Sequence, residues 1–226
     1  MTTYRKADTQ RHSLAWSSFF DEFMEFAAAN YTTTLINSAG QPTVINAEHG
    51  QLSLVTTGAN NDAISLQYAG GTGATKETFR HAADRKYSFI SRFRAPILEA
   101  LASTIVLGLM VTNTTPAATP GDGIFFRKAS GSAALTLVAR NGGVEVILAT
   151  GITLAINTWY TVEFYYAADN KNVDAIVNGV RVGAIPIAAV PTATLALTAA
   201  LRTNEAVTKT VLIDYIALRQ QRIAND

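Results

Sequence analysis

Apolar and polar residues alternate along 159–166 (WYTVEFYY) and again along 173–182 (VDAIVNGVRV), the period-two signature of half-buried strands. Asn178 and Gly179 interrupt the second stretch at its centre. They tolerate positive φ at both corners of a type I′ turn, so the stretch predicts a hairpin. A two-residue loop sets Val177 opposite Val180 and Ala175 opposite Val182 on one face. Asp174, Ile176 and Arg181 take the other face, with Arg181 diagonal to Asp174 as a cross-strand ion pair.

The same rule applied to Asn141–Gly142 pairs Leu135 with Leu148, Leu137 with Val146 and Ala139 with Val144; Gly143 leaves open a longer loop with a bulge. The expected core therefore includes Leu135, Leu137, Val146, Leu148, Val162, Phe164, Val177 and Val180. Residues 50–56 and 62–68 alternate around a turn at 58–61 (GANN) and read as a further antiparallel pair. Strands follow at 87–94, 104–111, 123–127, 194–201 and 210–218. No strand-helix-strand alternation is present, which predicts an all-β, antiparallel, two-sheet sandwich of the jelly-roll kind. Ahead of it, Trp16, Phe19, Phe20, Phe23 and Phe26 or Ala27 recur at three- and four-residue spacing. That stripe predicts a short helix over 14–29, although 19–23 also fits an edge strand. Residues 1–12, with Arg5, Lys6 and Arg11, read as a polar arm. The chain thus divides into an arm and aromatic helical segment at 1–30 and a β-sandwich domain at 31–226.

At 226 residues, one large all-β domain is expected, able to bury roughly 70% of its unfolded surface. The absence of cysteine removes disulfides, thiolate metal sites and thiol nucleophiles. A net charge of +1 provides no overall field for nucleic acid or an anionic membrane. No apolar run reaches transmembrane length and the N-terminus lacks an apolar leader, so a soluble chain made in the cytoplasm is expected.

Candidate chemistry is sparse. The Glu-x-Asp-x-Glu pattern that aligns catalytic carboxylates on one strand is missing. Asp21, Glu22 and Glu25 read as the solvated face of the expected helix, and Glu163 as an isolated rim charge. Asn60, Asn61 and Asp62, then Asp169, Asn170 and Asn172, and Asp122 read as turn formers, not calcium ligands. His12, His49 and His81 are scattered and read as surface residues, and no metal or cofactor is expected. Gly71 and Gly73 lack the spacing of a phosphate loop. Trp159, Tyr160 and Tyr165 read as sheet packing, or as a sugar-stacking platform if they line a concave surface.

The succession of 50–54 (GQLSL), 89–93 (FISRF), 122–126 (DGIFF), 157–164 (NTWYTVEF), 177–180 (VNGV) and 213–216 (IDYI) resembles concanavalin A-like, laminin-G-like jelly rolls. In particular it resembles those serving as structural proteins of tailed-phage virions, head decoration proteins among them. The resemblance spans about residues 45–218 and implies a non-enzymatic protein on the virion capsid surface, binding the major capsid protein as a homo-oligomer, with a trimer favoured. Arg5, Lys6, Arg11, Trp16, Phe19, Phe20 and Phe23 are then the candidate capsid-attachment residues. The alternative is a glycan-binding module of a phage fibre or spike. A glycosidase or lyase is a third reading, weighed down by the missing carboxylate pair.

Overall fold

The computed structural model describes residues 16–37, 40–45, 50–68, 79–97, 102–168 and 171–222. In chain order its strands begin with β1 (Trp16–Asp21), β2 (Tyr31–Ile36), β3 (Thr43–Ile45), β4 (Gln51–Val55), β5 (Ala63–Tyr68), β6 (Phe79–Arg80), β7 (Tyr87–Ile97) and β8 (Ser103–Met110). They continue with β9 (Gly123–Lys128), β10 (Ala134–Asn141), β11 (Val144–Thr153), β12 (Tyr160–Tyr166), β13 (Asn172–Val177), β14 (Val180–Pro186), β15 (Thr194–Thr203) and β16 (Thr210–Gln221).

These strands form two antiparallel sheets. The first runs β14-β13-β12-β7-β16-β4-β3, with β1 also on β16; the second runs β11-β10-β9-β8-β15-β5-β2, with β6 on β15. Alternation turns Phe89, Phe93, Val162 and Phe164 of the first sheet inward against Leu107, Leu109, Ile124, Phe126 and Leu137 of the second. Phe164 is the hub. Its ring stacks on Phe89 at 4.9 Å and lies 6.3 Å from Phe126. Each such side chain contributes about 1.5–3 kcal/mol on burial.

The two outer faces differ. Over the second sheet, Ala117 from the 112–122 excursion joins Val106, Met110, Phe125, Val138 and Ala200 in a satellite cluster. Asn113 is tied down there, its backbone N–H donating to Gln67 Oε1 at 3.0 Å. The first sheet keeps a polar and aromatic outer face, and the candidate site lies on it.

Several expectations are corrected. The aromatic segment is not helical: β1 pairs with β16, Phe19 opposite Leu218 and Phe20 opposite Ala217. β4 covers β16 only as far as Ile213, so the rest of that edge offers unpaired backbone groups that an extended segment satisfies and a helix does not. The period that counts is two: Phe19 packs on the core while Phe20 points out. Residues 50–56 and 62–68 do not pair with each other, because β4 lies in the first sheet and β5 in the second. Their connection is anchored by Asp62, whose Oδ2 accepts from the Thr57 backbone N–H at 3.0 Å and from the Thr57 hydroxyl.

The Asn178–Gly179 turn forms as expected, with Val177 opposite Val180, but a bulge then sets Ala175 opposite Gly183 in place of Val182. Arg181 Nε still donates to Asp174 Oδ1 at 2.8 Å. The other hairpin turns one residue later than expected. Gly142 and Gly143 both have positive φ, 58° and 82°, and Leu137 faces Leu148. Both glycines take up the positive φ that a type I′ turn requires without a Cβ penalty. β11 is an edge strand, which leaves Val146 39% exposed, and Val180 at its hairpin tip is 64% exposed. Neither belongs to the core. His81, expected on the surface, is buried between the rings of Tyr87 and Tyr166, and that burial holds its pKa below the usual imidazole value.

Candidate functional site

On the outer face of the first sheet, a recess of about 230 Å³ is lined by Phe20, Glu22, Gln51, Arg92, Trp159, Asp214 and Tyr215. These residues come from β1 and the turn after it, β4, β7, β16 and the approach to β12, so the recess runs across the strands. A β-bulge makes its floor. The register between β16 and β7 shifts between Ile213, opposite Phe93, and Tyr215, opposite Arg92. The extra residue turns both Asp214 and Tyr215 toward the outer face, as bulges commonly do near functional sites. Arg92 Nη1 donates to Asp214 Oδ2 at 2.8 Å, and the Asp214 side chain is 15% exposed.

The walls are aromatic. Trp159 precedes β12, and the guanidinium carbons of Arg92 and Arg94 each lie 4.8 Å from its ring centroid. Arg94 is steadied by Asn157, whose Oδ1 accepts from Nη1 at 3.0 Å. On the opposite wall the Phe20 and Tyr215 rings are 6.1 Å apart, and Phe20 is 61% exposed.

The third side is made where two chain segments touch. A Cβ on Gly50 would come within 2.3 Å of the Phe23 carbonyl oxygen, so only glycine permits this approach, which brings Gln51 beside Glu22. The turn between them is set by Asp21, which accepts from the Phe23 N–H at 2.9 Å and from the Tyr31 hydroxyl at 2.6 Å. Among the described residues, the Gln51 amide oxygen is buried without a hydrogen-bond partner.

Of the residues singled out in the sequence, Trp159, Phe20 and Glu22 come together here. Trp16 packs over Arg219, 5.2 Å from its guanidinium carbon, while Phe23 is 2% exposed and Phe19 packs on the core, so both serve the sandwich. Arg5, Lys6, Arg11, His12, His49, Gly71, Gly73, Asp169 and Asn170 lie outside the described residues. Tyr160 is buried, its hydroxyl accepting from the Ala155 N–H at 2.9 Å, whereas Tyr165 faces outward from β12. Arg92, Gln51, Asp214 and Tyr215 were missed. The one hint was Asp214 itself, an acid breaking the apolar run 211–218.

No protein-family model matches the sequence, and no curated protein is similar to it. Solved structures are similar to it in fold. A Shewanella oneidensis protein of unknown function superposes with a TM-score of 0.64 at 12% identity, over 100% of this chain and 98% of that one. An endo-1,3-β-glucanase from Streptomyces sioyaensis gives 0.62 at 11% identity, over 91% and 96%. An endo-β-1,4-glucuronan lyase from Trichoderma reesei gives 0.61 at 12% identity, over 88% and 94%. The chain has a concanavalin A-like jelly-roll fold. The expectation of a protein without catalysis is thereby corrected: a glucanase, a glycosidic hydrolase, a glucuronan lyase and an alginate lyase share this architecture. Lack of a single-strand carboxylate motif was weak ground for excluding chemistry, because a bulge and neighbouring strands also gather acids onto one face.

Proposed function

We propose that this protein is a carbohydrate-active jelly-roll module that binds a glycan chain in the recess crossing the outer face of its first sheet. The observation that carries the reading is the composition of that recess. Aromatic walls from Trp159, Phe20 and Tyr215 enclose polar groups from Arg92, Asp214, Gln51 and Glu22. Sugar rings present apolar C–H faces and hydroxyl edges, and a lining divided between aromatic rings and convergent polar groups suits both. A hydroxyl donated to the buried Gln51 oxygen would relieve a group whose isolation costs about 1–3 kcal/mol.

Titration with soluble β-glucan, followed by tryptophan fluorescence, tests the reading. Saturable quenching lost in Trp159→Ala is expected; a flat titration with folded protein sinks it. The finer reading, a module on the surface of a phage particle, rests on the resemblance in motif order alone, and copurification with intact virions would test it.

A further inference from the structure

The charges that line the recess do not balance. Glu22 and Asp214 supply two carboxylates against one guanidinium, that of Arg92. Arg92 is spent on Asp214 at 2.8 Å, and Glu22 makes no ion pair or hydrogen bond among the described residues. Arg94 does not compensate it, being held at the Trp159 wall by that ring and by Asn157, outside the lining. Strand pairing places the excess charge. β4 pairs with β16 up to Ile213 and β1 pairs with it from Ile216 onward, so a gap between β4 and β1 flanks Asp214 and Tyr215. Glu22, just past the end of β1, and Gln51, at the start of β4, border that gap from its two sides. One end of the recess thus combines an unpaired carboxylate with the unmet Gln51 amide oxygen, beside the Phe20 and Tyr215 rings.

We propose that this end of the recess takes the ammonium group of an amino sugar, so that the preferred glycan is a chain of glucosamine-type units with free amines. This rests on the glycan-binding reading above. A sugar hydroxyl has one proton to donate and meets only one of the two acceptors, whereas an ammonium donates three times and accepts nothing, so it serves Glu22 and Gln51 together. The Phe20 and Tyr215 rings add cation–π attraction. They also stack on the apolar faces of uncharged pyranose rings, which makes a neutral glucan a weaker ligand of the same recess. Acetylation of the amine removes its charge and leaves a single N–H, and with them the advantage. With a net charge of +1 the chain has no overall attraction for a polycation, so the preference is local to the recess.

The test titrates the full chain at about pH 6 with tetramers of β-1,4-linked glucosamine, N-acetylglucosamine and glucose, and with tetralysine, followed by tryptophan fluorescence. The glucosamine tetramer should bind about tenfold tighter than the other two sugars. That preference should fade as the pH passes about 8, where an amine of the α-amino type loses its proton. Glu22 is exposed, so Glu22→Gln should keep the melting temperature while bringing the three sugars within about threefold of one another. Equal binding of the three sugars by the unaltered chain, a preference that survives in Glu22→Gln, or tetralysine binding as tightly as the glucosamine tetramer overturns the proposal and leaves the glycan-binding reading standing. No saturable quenching by any of the three sugars removes both.

Discussion

Lys128 gives the sharpest stability prediction, because its ammonium group is wholly buried at the end of β9. Nζ donates to the Ser103 carbonyl at 2.6 Å and to the Ser103 hydroxyl at 3.0 Å. Desolvation, reinforced by the buried Lys209 nearby and partly opposed by Glu205, lowers its pKa from 10.5 to about 8. In the unfolded chain the lysine stays protonated to higher pH, so between these values the unfolded state binds more protons and stability rises with pH. At about 1.4 kcal/mol per pKa unit, the gain from pH 7 to pH 10 is roughly 2 to 3 kcal/mol, or about 5–10 °C in a domain of this size. Above pH 10 the trend reverses. Tyr31 and Tyr87 are held neutral by burial with raised pKa values, and their ionisation favours the unfolded chain. Urea unfolding at half-unit steps from pH 7 to 11 should therefore trace a dome. Lys128→Met keeps the buried stem and removes the titration, so it should be at least as stable at pH 7 and lose the rising limb. Identical slopes in the two proteins from pH 8 to 10 would refute the argument.

Phe164→Ala should cost about 3–5 kcal/mol, since it opens a hole where both sheets meet; a loss below about 1 kcal/mol by denaturant unfolding would remove Phe164 from the core. Phe20→Ala, at an exposed ring, should leave the melting temperature within a few degrees while weakening β-glucan binding severalfold by fluorescence titration. Light scattering should give a mass above the 24.1 kDa monomer, through the free β11 edge, where Val144 and Ile147 are 70% and 53% exposed. Ile147→Lys should then return the monomer, and a wild-type monomer at high concentration would dismiss self-association.

Local pattern was enough to read the all-β class, the antiparallel sheets, the Asn178–Gly179 turn and the inward faces of Val162 and Phe164, because alternation and turn chemistry act between near neighbours in sequence. It failed where a distant edge decided the outcome. The 16–21 segment carries a helix-compatible stripe, yet it becomes β1 because β16, some two hundred residues later, offers unpaired backbone groups that only an extended partner satisfies. Segments 50–56 and 62–68 look like a hairpin, but sheet membership depends on which long-range partners, β16 or β15, each strand finds. The recess is tertiary altogether. Asp214 reaches it through a bulge defined only against β7, Glu22 and Gln51 through the Gly50 contact, and Trp159 through its arginines on the neighbouring strand. Which residues alternate is encoded one position at a time, whereas which side chains share an outer face depends on strand order and register, set by the burial of the whole core.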